Sequence, residues 1–459
     1  MPTEQAQDRT SDMQACKISC RGTLGQPRSL AVCRARPCVP AHACRPMRAA
    51  ITARAQQPAG SDPAPVPKIN VDDPVSTETE GFSFDESQSE EIMQSWDTLM
   101  RWSKVIRRKQ ENEAQENGVN LDPLASTTKV VVFGGGSFGT AMGSSLARQK
   151  AGLDVVLLLR DEKLAHDINT RHVNTRYLPK HALPRNMRAT TDVAEAIKGA
   201  QYAVHAVPVQ ATRKFLEGIR DLLPADVPIV CLSKGLEVGT GLLMSELIPS
   251  ALEREQPAVF ISGPSFAKEV VQNRPTVVVC ACADPALGAE VQELFSCSTM
   301  RVNTTSDVVG VEICGALKNV LAIAAGIVEG LDLGSNSMAA LIAQGCSEIR
   351  WLAEKMGAQP TTVSGLSGLG DIMLTCYGSL SRNRTVGVRL GKGERIDDII
   401  ASSSQVAEGV TTAAAVVSLA REYRVALPVL TAVAQVLDGN LTAKEAVAAV
   451  MDLPQMEEC

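Results

Sequence analysis

The sequence predicts an α/β protein in which a doubly wound, largely parallel sheet is followed by an all-α C-terminal half. Three observations carry this. Residues 130–133 (Val-Val-Val-Phe) break into Gly134-Gly135-Gly136-Ser137-Phe138-Gly139, a helical pattern covers 141–150, and a second apolar run at 154–159 closes in Arg160-Asp161, which together make one βαβ unit. Further apolar runs at 203–207, 229–232, 259–261, 276–281 and 300–302 alternate with helical stretches, as parallel strands buried on both faces do; the pairing of the later ones stays open. From Ser306 the alternation stops, and Met338, Leu341, Ile342, Gly345, Ile349, Leu352 and Met356 recur on one helical face; 411–424, 428–438 and 442–451 are also helical.

The chain starts with a basic leader. Residues 1–61 hold nine Lys/Arg against three acids, so the formal charge of -6 conceals a remainder of 36 bases and 48 acids. Such an acidic body is no nucleic-acid binder by bulk charge, and a basic cluster inside it is expected to face a specific anion. Residues 13–61 contain no acid and no apolar h-region, while Arg, Ser, Ala, Pro and Cys recur. That composition predicts an organellar transit peptide over 1–61, more plastidic than mitochondrial, and not a secretory signal. Residues 62–89, with Pro63, Pro65, Pro67, Asp72, Asp73, Glu78 and Glu80, read as a disordered acidic linker.

The segment 90–126 reads as an amphipathic helix and a linker. Ile92, Trp96, Leu99, Trp102 and Ile106 fall on one side at spacings of four and three, a stripe expected to dock on the body of the protein. Five of the 13 cysteines lie in the leader, and the other eight lack metal-ligand spacing; Cys280-x-Cys282, in an apolar run, predicts packed thiols. A reducing compartment fits this, and no metal is expected. No uncharged apolar run reaches the ~20 residues of a membrane span. The most apolar helix, near 308–331, carries Glu312, Lys318 and Glu329.

The glycine turn has separable requirements. Gly134 permits the tight turn off the strand, Gly136 lets backbone N–H groups approach a pyrophosphate, and Gly139 lets the helix pack on the strands. The helix N-terminus adds partial positive charge where a diphosphate would lie. Residues 127–305 are therefore read as a Rossmann-like dinucleotide-binding domain and 306–455 as an all-helical substrate domain, with the site in the cleft between them.

Lys318 is the most informative single residue. Its helix is so apolar that the ammonium cannot easily reach water, and burial lowers a lysine pKa toward neutrality, which makes it a candidate proton donor and acceptor. Three other stretches are expected to converge on it. Ser233-Lys234-Gly235 and Ser262-Gly263-Pro264-Ser265-Phe266-Ala267 each follow a strand, where open α/β sheets bind ligands. Gly368-Leu369-Gly370-Asp371 brings a carboxylate, either as a ligand group or as a helix N-cap, and Ser381-Arg382-Asn383-Arg384 opens a helix with groups suited to phosphate.

Taken together, Gly134 to Ala141, Ser233 to Glu237, Ser262 to Glu269, Cys314 to Val320, Gly368 to Asp371 and Ser381 to Arg384 resemble NAD(P)-dependent sn-glycerol-3-phosphate dehydrogenase over about 128–455, and the leader and the Trp96/Trp102 helix look like those of its plastid forms. The resemblance implies reversible reduction of dihydroxyacetone phosphate to sn-glycerol 3-phosphate, supplying glycerolipid synthesis, in a chloroplast-stroma homodimer. It implies that Lys318 is catalytic, and that Lys234, Gly263, Ser265, Asp371, Ser381, Arg382 and Asn383 bind substrate. Cofactor positions implied are Ser137, Phe138, Arg160, Lys234, Ala267, Arg382, Val406 and Glu408, beside Gly134, Gly136 and Gly139 of the turn.

Cofactor choice is open at one position. NAD sites usually place Asp or Glu at the end of the second strand, but Arg160 stands there with Asp161 next, so NADP is not ruled out and NAD rests on the plastid resemblance. Two other readings share the fold. A hydroxyacid-type dehydrogenase has no need of Ser381-Arg382-Asn383, and a silent dinucleotide sensor has no need of a buried proton donor.

Overall fold

The structure, a computed structural model, describes residues 86–116, 120, 122–403 and 407–454. The expected leader and most of the expected linker lie outside these residues.

Two helices come first, α1 (Glu86–Glu116) and α2 (Pro123–Ser126). The sheet half follows as β1 (Lys129–Phe133), α3 (Ser137–Gln149), β2 (Asp154–Leu158), α4 (Glu162–Arg171), β3 (Met187–Thr190), α5 (Val193–Ile197), β4 (Tyr202–His205), α6 (Val209–Ile219), β5 (Ile229–Cys231), α7 (Met244–Leu252), β6 (Ala258–Ser262), α8 (Ala267–Val271), β7 (Thr276–Ala281), α9 (Pro285–Phe295) and β8 (Met300–Thr305). Thereafter come α10 (Val308–Gly330), α11 (Gly334–Lys355), α12 (Pro360–Val363), a π-turn at Leu366–Gly370, α13 (Asp371–Tyr377), α14 (Arg382–Gly391), α15 (Ile396–Ser402), α16 (Glu408–Glu422), α17 (Pro428–Leu437) and α18 (Ala443–Met451).

The eight strands form one sheet in the order β3-β2-β1-β4-β5-β6-β7-β8, parallel throughout except where β7 runs against β6. Alternate residues feed opposite faces. Val130, Val132, Val155 and Leu157 enter one core and Val131, Phe133, Val156 and Leu158 the other, which is why these strands read as unbroken apolar runs. Cys280 and Cys282 are buried in the first of these cores as packed thiols. β3, Met-Arg-Ala-Thr, is a strand that apolar runs do not reveal: it lies at the sheet edge, with Arg188 and Thr190 partly exposed, so only every second residue needs to be apolar.

α10 is the axis of the helical half. It is long and apolar enough by length and composition to cross a membrane, yet its apolar stretch is buried entirely within the protein. Its contact with α14 is backbone on backbone: a Cβ at Gly326 would lie 2.1 Å from Arg384 O, and one at Gly387 2.0 Å from Ile323 O. Gly330 and Gly391 repeat the contact one turn on. These glycines set how closely the N-terminus of α14 approaches the middle of α10.

α1 starts four residues earlier than the sequence suggested. The expectation that its stripe docks on the body is not met: Trp96 and Trp102 are each 62% exposed, and Ile92, Leu99 and Ile106 are exposed too.

Candidate functional site

The glycine turn is built from both sides. Gly134 adopts φ +106°, and a Cβ there would lie 2.6 Å from Ala206 O; a Cβ on Gly139 would lie 2.4 Å from Gly134 O. Gly136 differs, because a Cβ there would meet no protein atom within 4 Å, so the open side of the loop faces away from the chain. Its carbonyl begins α3, whose first turn has no side-chain cap, leaving the Ser137 and Phe138 end of the helix dipole uncompensated. Asn174, fully buried, donates to Gly135 O and Thr140 Oγ1, both at 2.9 Å, and fixes the loop from behind.

At the end of β2, Arg160 is exposed and Asp161 accepts from Leu164 N at 3.0 Å as the N-cap of α4, with Arg176 3.7 Å away. The acidic residue beside Arg160 is thus already engaged with its own helix.

At the centre a buried lysine and a partly buried one share one buried carboxylate. Lys318 Nζ is 2.5 Å from Asp371 Oδ1 and Lys234 Nζ is 2.8 Å from Asp371 Oδ2, with Asp371 1% exposed. Burial pulls the Lys318 ammonium down to about 8; Asp371 opposes this and Lys234 adds to it. Burial alone would raise the Asp371 carboxyl, but the two ammonium groups outweigh it and hold it below the usual range. Asp371 opens α13 as a helical residue and is not an N-cap; Thr375 Oγ1 donates back to its carbonyl at 2.6 Å.

Lys234 links this centre to the glycine turn. Its Nζ also donates to Gly263 O at 3.3 Å and sits 5.9 Å from the centroid of the Phe138 ring. Gly315, one turn before Lys318, makes room for it: a Cβ there would lie 3.5 Å from Lys234 Cγ and 3.2 Å from Ser262 Oγ. The loop bearing Lys234 is held by His205, whose Nδ1 lies 3.1 Å from Ser233 Oγ and which burial pushes down to about 4, so it stays neutral. Gly263 adopts φ +131°, and Ser265 Oγ donates to its carbonyl at 2.9 Å. Ala267 opens α8, a helix of five residues whose first turn contains Glu269, a weaker anion site than the sequence suggested.

α14 brings the remaining groups. Ser381 is its N-cap, accepting from Arg384 N at 3.2 Å, and Arg384 pairs with Glu329 at 2.5 Å. Asn383 Nδ2 donates to Asn319 Oδ1 at 2.9 Å, and Asn383 Oδ1 accepts from Gly409 N at 3.0 Å. That second bond sets the start of α16, where burial raises the Glu408 carboxyl against the pull of Arg382, Lys318 and Lys234. Val406 lies outside the described residues.

A cavity of about 280 Å³ opens beside this cluster, lined by Pro208, Val209, Gln210, Lys234, Gly235 and Glu408 among others. A hollow of about 210 Å³ between Leu153 and Arg188 lies at the opposite end of β2, where Asp154 and Arg188 already pair. Chemistry therefore belongs to the first. Sequence reasoning missed Asn174, His205, Asn319 and Thr375; of these only Asn319 carried a signal, as the polar neighbour of Lys318 in the otherwise apolar run 313–328.

Residues 129–288 match the family described as NAD-dependent glycerol-3-phosphate dehydrogenase N-terminus, and 307–448 match its C-terminus. Glycerol-3-phosphate dehydrogenase [NAD(+)] 2, chloroplastic, of Arabidopsis thaliana is 54% identical over 399 residues, 87% of this chain and 92% of its own. The chloroplastic enzyme of Oryza sativa subsp. japonica is 54% identical over 368 residues, 80% of this chain and 82% of its own. The crystal structure of glycerol-3-phosphate dehydrogenase from Coxiella burnetii superposes with a TM-score of 0.68 at 34% identity, covering 71% of this chain and 99% of that one.

Proposed function

This chain belongs to the NAD-dependent glycerol-3-phosphate dehydrogenase family, and from that footing we propose how its own residues carry the family's reaction, the reversible reduction of dihydroxyacetone phosphate to sn-glycerol 3-phosphate. The product feeds glycerolipid synthesis. A glycine turn with an open side, an uncapped helix N-terminus and a neighbouring cavity suit a dinucleotide, and the nicotinamide cofactor NAD supplies the hydride when bound there. Gly134, Gly136, Ser137, Phe138 and Gly139 would hold its diphosphate side; Arg160, Lys234, Ala267, Arg382, Val406 and Glu408 are the further cofactor positions.

The observation that carries the reading is the carboxylate shared by two lysines. Lys318, drawn to about 8 and kept there by Asp371, has a proton to give to the carbonyl oxygen at C2 as negative charge develops on it, and as free amine takes it back in the oxidation. Lys234, Gly263 and Ser265 position substrate from the sheet side. Ser381, Arg382 and Asn383 hold its phosphate from α14, and the Asn383–Asn319 bond keeps that grip in register with Lys318.

The same reading divides the chain into a dinucleotide domain over 127–305 and a helical substrate domain over 306–455, and makes it a homodimer. The chloroplastic relatives and the acid-free basic leader support the plastid stroma as its compartment. One assay tests the whole: oxidation of NADH and of NADPH with dihydroxyacetone phosphate, side by side. Robust NADH oxidation that falls ~10²–10⁴-fold in Lys318→Ala is the expected result; near-wild-type activity in that variant, or none in wild type, overturns the reading.

A further inference from the structure

Two charged residues three positions apart share the loop after β5, and they engage opposite halves of the protein. Lys234 reaches Asp371 in the helical half, while Glu237, 9% exposed, pairs with Arg213 of α6 in the sheet half. The pair is bidentate. Arg213 Nε donates to Glu237 Oε1 at 2.8 Å and Nη2 to Oε2 at 2.7 Å, the geometry in which a guanidinium fixes orientation as well as charge. Thr240 Oγ1 adds a bond of 2.6 Å to Oε2, and Arg213 Nη1 goes on to Ser250 Oγ of α7 at 3.0 Å. These bonds, those from Arg213 above all, hold the Glu237 carboxyl below its usual range although burial opposes them.

One turn earlier on α6, Gln210 grips the backbone of the same loop: its Nε2 donates to Leu236 O at 2.7 Å and its Oε1 accepts from Val238 N at 2.9 Å. Leu236 itself is fully buried in the core of the helical half. The loop is therefore a strap, anchored on α6 and carrying Lys234 and Leu236 across to the other half. Gly235, at φ +154°, lends it no stiffness beside Lys234, and a lysine stem is flexible, so the bonds at Lys234 Nζ do not by themselves place its backbone. The anchor has to do that.

We infer that Arg213 and Glu237 are positioning residues, whose ion pair sets where the strap holds Lys234 on the carboxylate it shares with Lys318. The inference rests on the dehydrogenase reading and adds to it a pair whose polar contacts, Ser250 and Thr240, belong to no substrate or cofactor position. Lys318 faces Asp371 and Cys376 of α13, Glu408 of α16 and Lys234 of the strap. Of these groups only Lys234 rides on the strap. Its charge lowers the proton affinity of Lys318 and Asp371 raises it, so a slack strap withdraws the first influence and leaves Asp371 to Lys318 alone. Both changes tighten the hold of Lys318 on its proton.

The test is a cycle of full-chain variants assayed for NADH oxidation with dihydroxyacetone phosphate: Arg213→Met, which keeps an apolar stem and removes the fork, Lys234→Met, and the two together. Arg213→Met is expected to lower kcat/KM ~10-fold and to move the fall of the reduction rate to higher pH. On the residual rate of Lys234→Met the same change should have almost no further effect, because a residue acting through Lys234 then has nothing to act on. Arg220→Met is the control. It removes another ion pair of α6, with Glu253 just after α7 at 2.6 Å, and should leave both rate and pH profile at wild type. Additive losses in the double variant, or an unshifted pH profile in Arg213→Met, overturn the inference and leave the dehydrogenase reading standing. A wild type that does not reduce dihydroxyacetone phosphate overturns both, and Lys234→Met at the wild-type rate removes Lys234 from the site and the inference with it.

Discussion

Lys234, on the loop after β5, reaches Asp371 at the start of α13 across 137 positions of sequence and lies 2.8 Å from it. The carboxylate that pairs Lys318 is therefore held from the sheet half as well. Replacing Asp371 by Asn would leave two ammonium groups facing each other, Lys318 buried and Lys234 partly so. Because removing one partner of a buried ionic cluster leaves uncompensated charge, Asp371→Asn is expected to destabilise the protein by ~3–5 kcal/mol. Denaturant unfolding reads this directly; a loss below ~1 kcal/mol would mean the lysines escape to solvent and the cluster is not the one described.

A second expectation concerns pH. Reduction needs Lys318 protonated, so its kcat/KM should fall as pH rises through about 8, while oxidation needs the free amine and should rise over the same window. Asp371 is the group that raises Lys318 against its burial, so a residual rate in Asp371→Asn should titrate lower than wild type. Lys318→Ala is expected to lose ~10²–10⁴-fold in turnover, with cofactor affinity little changed. Profiles that run parallel in the two directions would remove Lys318 from the proton transfer.

Much of this was legible in the chain. The strands buried on both faces announce themselves as β-branched runs, and the buried lysine stands out because nothing else charged lies near it in α10. β3 was hidden because an edge strand needs only alternate apolar residues. The network behind the site was hidden for another reason: the bonds Asn174–Gly135, His205–Ser233 and Asn319–Asn383 join residues whose pairing depends on the fold alone. The stripe of α1 was legible, but its expected partner was not found on the chain itself.

The crossing of α10 and α14 supplies a third expectation. A methyl group at Gly387 would lie 2.0 Å from Ile323 O, so the two helices must move apart to accept it. Gly387→Ala should cost ~1–3 kcal/mol of stability, as overpacking does. Because Ser381 and Asn383 ride on α14, the same change should raise KM for dihydroxyacetone phosphate while leaving the affinity for NADH close to normal. If KM stays at the wild-type value in a folded, destabilised variant, the crossing does not set the phosphate grip.

Phosphate recognition separates the two arginines of α14. Arg384 already pairs with Glu329 at 2.5 Å, whereas Arg382 is exposed at the first helical position and acts electrostatically on Glu408 beside the cavity. A guanidinium on phosphate contributes ~1.5–3 kcal/mol, so Arg382→Ala should lower kcat/KM for dihydroxyacetone phosphate by ~10–150-fold. Unphosphorylated dihydroxyacetone, which has nothing for that group to hold, should lose far less. Arg384→Ala is the matched control: it removes a surface pair worth ~1 kcal/mol or less and should leave the ratio between the two substrates where it was. Equal losses on both substrates in Arg382→Ala would move this residue from the phosphate to the cofactor, the other role its position allows.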